Sequence, residues 1–267
     1  MVMATDDIEL SIGQFVAAWK AMCAPSRGYT SRSRDGLEIV FSGVPVAFFN
    51  VAMLTGRDVT AEQLAAHGRD ACAWASGTGV PWLMVVTRET LLPDVDPAQV
   101  LDACGLAPIM NLTGMKASRL TPQSRTADGL TMTVPVDGAA VASILDINGV
   151  AYGMDLEAGK TLFDAGFWRS HVPVVGYSGG APVSCAAVLM VDGLRYVAMV
   201  ATDPAHQRRG FGEAVMRRAL EVAAEKQGDS LTVLHATDAG QPIYARMGYE
   251  PISTHPIFME KRFLEGH

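Results

Sequence analysis

Between Thr202 and a helical pattern that begins at Phe211, the chain reads "DPAHQRRGFGEAV". A proline, two adjacent arginines and two glycines one residue apart separate a strand-like run from a helix. A helix start leaves several backbone N–H groups without intrahelical acceptors, and the helix dipole places partial positive charge there. Gly210 and Gly212 have no Cβ, so a ligand can come close to the main chain. Arg208 and Arg209 can add charge-assisted contacts. Such a turn suits a phosphate or pyrophosphate. Two familiar anion loops do not fit. A P-loop requires Gly-Lys-Ser/Thr after its glycines, and none is present. A dinucleotide fingerprint requires its first glycine at the strand end and a third glycine-like position where Val215 stands.

The elements that must hold this turn follow from periodicity and turn residues. Apolar spacing predicts a helix over residues 8–24, then strands over 36–41 and 44–54 joined at Ser42-Gly43. Thr60 is an N-cap for a helix over 61–76, followed by a strand over 81–87 and a helix over 96–105. Residues 116–129 are polar and aperiodic and read as a linker. Beyond it come a strand (130–136), helical stretches (137–149 and 156–167) and strands over 171–178, 181–191 and 194–202. Asp192-Gly193 is a two-residue hairpin signal between the last two. In the helix after the loop, residues 211, 215, 216, 219, 220 and 223 form one apolar stripe, ended by Gly228. A strand (230–237), a short helix (241–247) and a last strand (252–260) complete the pattern. The halves echo each other: "SGVPVAFFNVAML", helix, "PWLMVV" against "SGGAPVSCAAVLMV…RYVAMVAT", helix, "LTVLHA". A duplicated unit accounts for the echo.

At 267 residues with 49% apolar content, the chain suits two domains better than one compact unit. Its opening, "MVMATDDIEL", is acidic where a signal peptide is basic, and "CAAVLMV" at 185–191 is too short to span a bilayer. Four scattered cysteines, Cys23, Cys72, Cys104 and Cys185, read as reduced thiols of a cytoplasmic protein, with no histidine spaced for zinc. The net charge of −7 argues against nucleic acid as a partner. No metal and no membrane are expected.

The stretch "VATDPAHQRRGFG" resembles motif A of the GNAT superfamily of acyl-CoA-dependent N-acyltransferases, with Gln207, Gly210 and Gly212 on signature positions. Downstream, "LHATDAGQPIYARMGY" resembles its motif B. The resemblance implies an α/β (α+β, mixed-sheet) fold of two tandem GNAT-like domains. Each is a central, mostly antiparallel sheet flanked by helices. Residues 1–120 would be a degenerate domain lacking the cofactor loop, and residues 129–267 the catalytic one. It implies that the backbone of Val200, Ala201 and Thr202 holds a pantetheine arm. The amides of Arg208, Arg209, Gly210, Phe211, Gly212 and Glu213 would cradle the pyrophosphate of acetyl-CoA, the co-substrate.

In many relatives the tyrosine of motif B protonates the departing thiolate, and here that is Tyr244. A phenol's ordinary pKa near 10 suits a thiolate leaving group. Relatives often place a glutamate base on a central strand, and neither 194–202 nor 230–237 carries one. His235 is the nearest titratable group and is the candidate base, directly or through water; the alternatives are that it is a core histidine and that, as in some relatives, the last proton escapes to water with no base. His255 is a weaker candidate, His206 faces solvent in the loop, and Cys185 is a core residue. The first half lacks the loop, and its Phe48, Phe49 and Trp82 are candidates for an acceptor-pocket wall, set against the plainer reading of each as core. The leading expectation is N-acetylation of a small-molecule amine. A protein N-terminus or lysine as acceptor, and a non-catalytic acyl-CoA sensor, are the alternatives.

Overall fold

In the computed structural model, residues 5–123, 125–136 and 138–264 are described. Ser124 of the expected linker, the expected helix start at Asp137 and the first four residues of the acidic opening lie outside them. The chain begins with α1 (Thr5–Cys23), β1 (Thr30–Arg34), β2 (Leu37–Phe41), β3 (Asn50–Leu54), α2 (Ala61–Ser76), β4 (Leu83–Val85), α3 (Pro97–Asp102) and β5 (Leu106–Ala117). It continues with β6 (Thr131–Thr133), α4 (Gly138–Tyr152), α5 (Ala165–Ser170), β7 (Val172–Ser178), β8 (Ala181–Val191) and β9 (Leu194–Thr202). Last come α6 (Phe211–Gln227), β10 (Thr232–Thr237), α7 (Gln241–Arg246) and β11 (Glu250–Glu260).

Two compact units share the chain. One holds residues 1–114, 236–239 and 251–267, and the other holds 115–235 and 240–250. Sequence order suggests that everything after residue 129 packs together, but β11 from Pro251 onward packs with the first unit. The reason is pairing. β11 runs antiparallel to β4, with Ile257, Phe258 and Met259 opposite Val85, Met84 and Leu83. It also buries Phe258 in the first unit's core and sets Glu260 to accept a 2.6 Å hydrogen bond from the Trp82 indole.

In the first unit β1, β2 and β3 form an antiparallel meander, and β3 pairs in parallel with β4 through the α2 crossover. Strands β2, β3 and β4 are buried at every position, and they are apolar throughout except for Glu38, paired with Lys20 at 2.8 Å, and Asn50. The expected strand over 44–54 is shorter than predicted, because Asn50 turns its side chain back onto the preceding residues. Its Nδ2 donates to the carbonyls of Val44, Val46 and Pro81, and its Oδ1 accepts from the Gly43 amide. Those bonds hold residues 43–49 in a turn instead of a ladder. Of the three aromatic candidates, Trp82 and Phe49 are core residues at 0% and 2% exposure, as their plainer reading has it, while Phe48 is half-buried against the Trp19 ring. Their size makes them core fillers before anything else.

The second unit repeats the plan. β6, β7, β8 and β9 are successively antiparallel, and β9 pairs in parallel with β10 through the α6 crossover. Helices α4 and α6 both pack on β7, β8 and β9, and the near-continuous burial of β8 follows from that cover.

Each unit also buries a neutral histidine. His255 is fully enclosed, with Ser11 and Ser253 at Nε2 (3.2 and 2.7 Å) and Thr87 at Nδ1 (3.1 Å). Burial lowers its pKa to about 3. His171 accepts the Met190 amide at 3.1 Å, and burial, opposed by a Ser170 backbone bond and aided by Lys226, lowers its pKa to about 4. Both folded values lie below the unfolded value near 6.5. Their stabilisation is therefore complete above pH 6.5 and is lost as pH falls from there toward 4 and 3. Each contributes a slope of about 1.4 kcal/mol per pH unit in that window. The thermal midpoint is expected to fall steadily between pH 6.5 and 5, above the carboxylate range. A flat midpoint there, by calorimetry, contradicts this account.

Candidate functional site

The loop of residues 203–210 carries its own scaffold. Asp203 Oδ1 accepts the Ala205 amide (2.8 Å), Pro204–His206 make a single 3-10 turn, and Gln207 Nε2 donates to the Thr202 carbonyl (3.2 Å). Arg208 and Gly210 are both left-handed, with φ of +61° and +78°. Gly210 caps α6 without any side-chain bond. The first-turn N–H groups at Phe211, Gly212 and Glu213 have no intrahelical acceptors by the geometry of a helix start. The α2 N-terminus in the first unit is the counter-example. Thr60 accepts the Gln63 amide while the Gln63 side chain accepts the Thr60 amide, so that helix start is closed by its own side chains. One crossover helix is capped and the other is left open.

The first-turn side chains of Phe211 and Glu213 are already committed. Phe211 is buried at 1% exposure with the Arg209 guanidinium over its ring at 4.5 Å. Glu213 is paired with Arg217 at 2.8 Å. An anion at this helix start faces the main-chain amides, with Arg208 exposed in the same turn. A Cβ on Gly210 would lie 3.2 Å from the Thr126 carbonyl, and one on Gly212 would lie 3.3 Å from Thr202 Oγ1. Lacking them, the turn keeps close-approach space that only glycine provides. Expected to face solvent, His206 is half-buried and lies 3.7 Å from Asp203.

Strand β9 changes shape just before the loop. Its register with β8 slips between Cys185 and Ala187, opposite Met199, whose φ is +53°. This is a β-bulge, a device that re-aims a strand. The bulge carbonyl of Met199 accepts from Asn148 Nδ2 and from the Cys185 thiol, both at 3.3 Å. Cys185 is thus a structural donor in the core, its thiol pushed up to about 12 by burial. Next along, the Val200 carbonyl accepts the Tyr152 hydroxyl (3.1 Å), and the Ala201 carbonyl accepts Ser184 Oγ (3.0 Å), which also bonds Thr202 Oγ1 at 2.8 Å. On the other side β9 is in register with β10 at Thr232↔Arg195 and Val233↔Tyr196.

Tyr196 and His235 lie on the same side of the two parallel strands, because Tyr196 is opposite Val233 and side chains alternate. Tyr196 Oη is 2.9 Å from His235 Nδ1, and the rings stack with centroids 5.7 Å apart. Tyr244, on α7, packs edge-on against Tyr249 at 6.1 Å. Burial raises the pKa of Tyr244, with Tyr152 and Tyr249 adding to it. Burial likewise raises Tyr196, and Tyr244 adds to that shift. Tyr249 is raised by burial, and its hydroxyl accepts a 2.8 Å bond from Thr232 Oγ1. In the resting protein these phenols are protonated at neutral pH, so around His235 and α7 they present O–H groups.

The second unit thus holds Tyr244, His235 and the whole loop. His255 is enclosed in the first unit's core, where no substrate reaches it, and it is dropped as a base. Met199, Asn148, Ser184, Tyr152 and Tyr196 shape the site without having been singled out in sequence. Among the described residues no group of three or more His, Cys, Asp or Glu side chains could hold a metal, and no helix is long and apolar enough to cross a membrane.

Comparisons with known proteins bear on the same region. The profile of the acetyltransferase (GNAT) domain family matches residues 167–251. The N-acetyltransferase YjcF of Bacillus subtilis, itself uncharacterised, is 33% identical over 93 residues, which is 35% of this chain and 61% of that protein's length. The chain therefore spans less than two thirds of this relative. Among solved structures, a GCN5-related N-acetyltransferase from Kribbella flavida aligns with a TM-score of 0.69 at 20% identity, covering 94% of this chain and 95% of that one. A tandem GNAT protein from the clavulanic acid biosynthesis pathway aligns at 0.52 and 14% identity, covering 97% and 96%. At these identities the structural likenesses show the fold.

Proposed function

Since the C-terminal region carries a GNAT acetyltransferase domain, we propose that the chain moves the acetyl group of acetyl-CoA to the primary amine of a small molecule by direct transfer. The observation that carries this reading is the open start of α6 at left-handed Gly210, directly after bulged β9, with a tyrosine and a histidine on the neighbouring elements. The cradle fits a pyrophosphate, because it offers main-chain donors and glycine clearance and because Phe211 and Glu213 are turned into packing and pairing. In this reading the amides of residues 208–213 hold the pyrophosphate. The backbone of Val200, Ala201 and Thr202 lies along the pantetheine arm.

Acetyl-CoA supplies the thioester. The amine nitrogen bonds to its carbonyl carbon as the C–S bond breaks. His235 takes the proton that the nitrogen sheds, and Tyr244 gives its proton to the departing sulfur. The small-molecule acceptor is the leading expectation from the sequence. Residues 1–120 would then act as the domain without a cofactor loop, and the protein would work in the cytoplasm.

Calorimetric titration with acetyl-CoA, propionyl-CoA and free coenzyme A tests the site, followed by a thiol-release screen over small polar amines. Micromolar binding with amine-dependent thiol release is expected. Binding without release from any amine, but with release from a peptide N-terminus or lysine peptide, moves the acceptor to protein. No binding of any of the three discards the reading.

A further inference from the structure

The last residues of β9 turn their main-chain groups to alternate sides. The Asp203 amide donates to the Val183 carbonyl at 2.9 Å, so Asp203, and Ala201 two residues before it, face β8. Val200 is out of phase with both and turns its carbonyl the other way, toward the β10 side. The β9/β10 ladder holds at Arg195 and Tyr196, well before Val200. What the Val200 carbonyl meets on that side is a side chain: it accepts the Tyr152 hydroxyl at 3.1 Å.

Helix α4 thus grips β9 at two points one turn apart, and the two grips differ. Asn148 is 7% exposed, and its Nδ2 is shared among the Ile144 carbonyl, Cys185 Sγ and the Met199 carbonyl. Drawing it off Met199 means opening the core. Tyr152 is 49% exposed and is the last residue of α4. Gly153 follows at φ +64°, with no atom within 4 Å of where a Cβ would stand. The Tyr152 side chain can therefore turn outward at the cost of one hydrogen bond. It also lies close enough to Tyr244 to add to the rise in that phenol's pKa.

We infer that Tyr152 holds the place of the pantetheine arm at Val200, and that acetyl-CoA binds by exchange, an amide N–H of its arm taking the Val200 carbonyl as the Tyr152 hydroxyl leaves it for water. The inference rests on the reading of the Val200–Thr202 backbone as the seat of that arm. A donor reaches a carbonyl from the side the carbonyl faces. The Tyr152 hydroxyl and the ring behind it stand in that approach. Part of the cofactor's binding free energy goes into opening the Tyr152 bond, so Tyr152 keeps acetyl-CoA affinity below what the bare strand would give.

Tyr152→Phe tests this on the full chain, since Phe keeps the ring and removes only the O–H. By calorimetry the variant should bind acetyl-CoA about fivefold more tightly than the wild type, the net worth of one neutral hydrogen bond that binding no longer has to open. ADP, which carries a pyrophosphate and no arm, should bind both proteins equally. In wild type labelled at the tyrosine ζ carbon, the Tyr152 signal is identified by its loss in Tyr152→Phe. It should shift on addition of acetyl-CoA and stay put with ADP. A bond that merely braces α4 predicts unchanged or weaker acetyl-CoA binding in the variant, and either result overturns the inference. So does a Tyr152 signal that acetyl-CoA leaves unmoved, or an ADP affinity that rises along with that for acetyl-CoA. In each of those cases the wild type still binds acetyl-CoA, and the cofactor reading stands. If the wild type binds no acetyl-CoA, that reading fails and the exchange fails with it.

Discussion

Replacing Tyr244 with Phe should lower kcat by at least about a hundredfold, the low end for loss of a general acid, while acetyl-CoA affinity changes less than about threefold. The split follows from where the hydroxyl sits. The ring packs edge-on against Tyr249 at 6.1 Å, and Phe keeps that contact, so α7 and the strands behind it should not move. What disappears is one O–H. Burial, with Tyr152 and Tyr249 nearby, holds that proton on the oxygen far into the alkaline range. The wild type should therefore show no loss of kcat between pH 8 and 10 from this group. A phenol so reluctant to ionise gives up its proton only where negative charge develops beside it, as on a departing thiolate. If affinity fell as far as kcat, Tyr244 would be a binding residue and the assignment as acid would be wrong.

Gly210→Val should weaken acetyl-CoA binding about a hundredfold or more, enough to match the loss of two or so charge-assisted hydrogen bonds. Two effects coincide at that position. At φ +78° a β-branched residue is strained by about 1–3 kcal/mol. Any Cβ also meets the Thr126 carbonyl at 3.2 Å, and that atom is backbone, so the loop must shift. Moving Gly210 re-aims the first amides of α6. Gly228 at the other end of the same helix is the control. It too has φ +78°, but nothing lies within 4 Å of a Cβ there. Gly228→Ala should cost stability and leave calorimetric affinity unchanged. Equal affinity for wild type and Gly210→Val would remove the α6 start from the cofactor site.

Much of this was legible in the sequence because it is local. The Asp-Pro turn, the two glycines and the striped helix announce β9, the loop and α6 without help from anything distant. Strand β5 was not read, since "LAPIMNLTGMKA" mixes exposed and buried positions, contains proline and glycine, and never alternates. The bulge at Met199 was hidden for another reason. Methionine is an unusual occupant of positive φ, and only Asn148 and Cys185, from α4 and β8, reveal what holds its carbonyl. Likewise Tyr196 and His235 meet only because the β9/β10 register places Tyr196 opposite Val233. No single strand encodes that register. For the aromatic residues of the first half the plain reading as core holds at Trp82 and Phe49, which have the size for a binding wall but fill the interior.

The pairing of β11 with β4 has a consequence for synthesis. The first unit's sheet is finished by residues that leave the ribosome after every residue of the second unit, so the first unit cannot mature while the second is still being made. Until then β4 presents an unpaired apolar edge, "LMV", of the kind that invites intermolecular strand addition. The folding order of this chain is thereby uncoupled from its reading order, and a ribosome stalled short of Pro251 would release an open-edged product prone to aggregate.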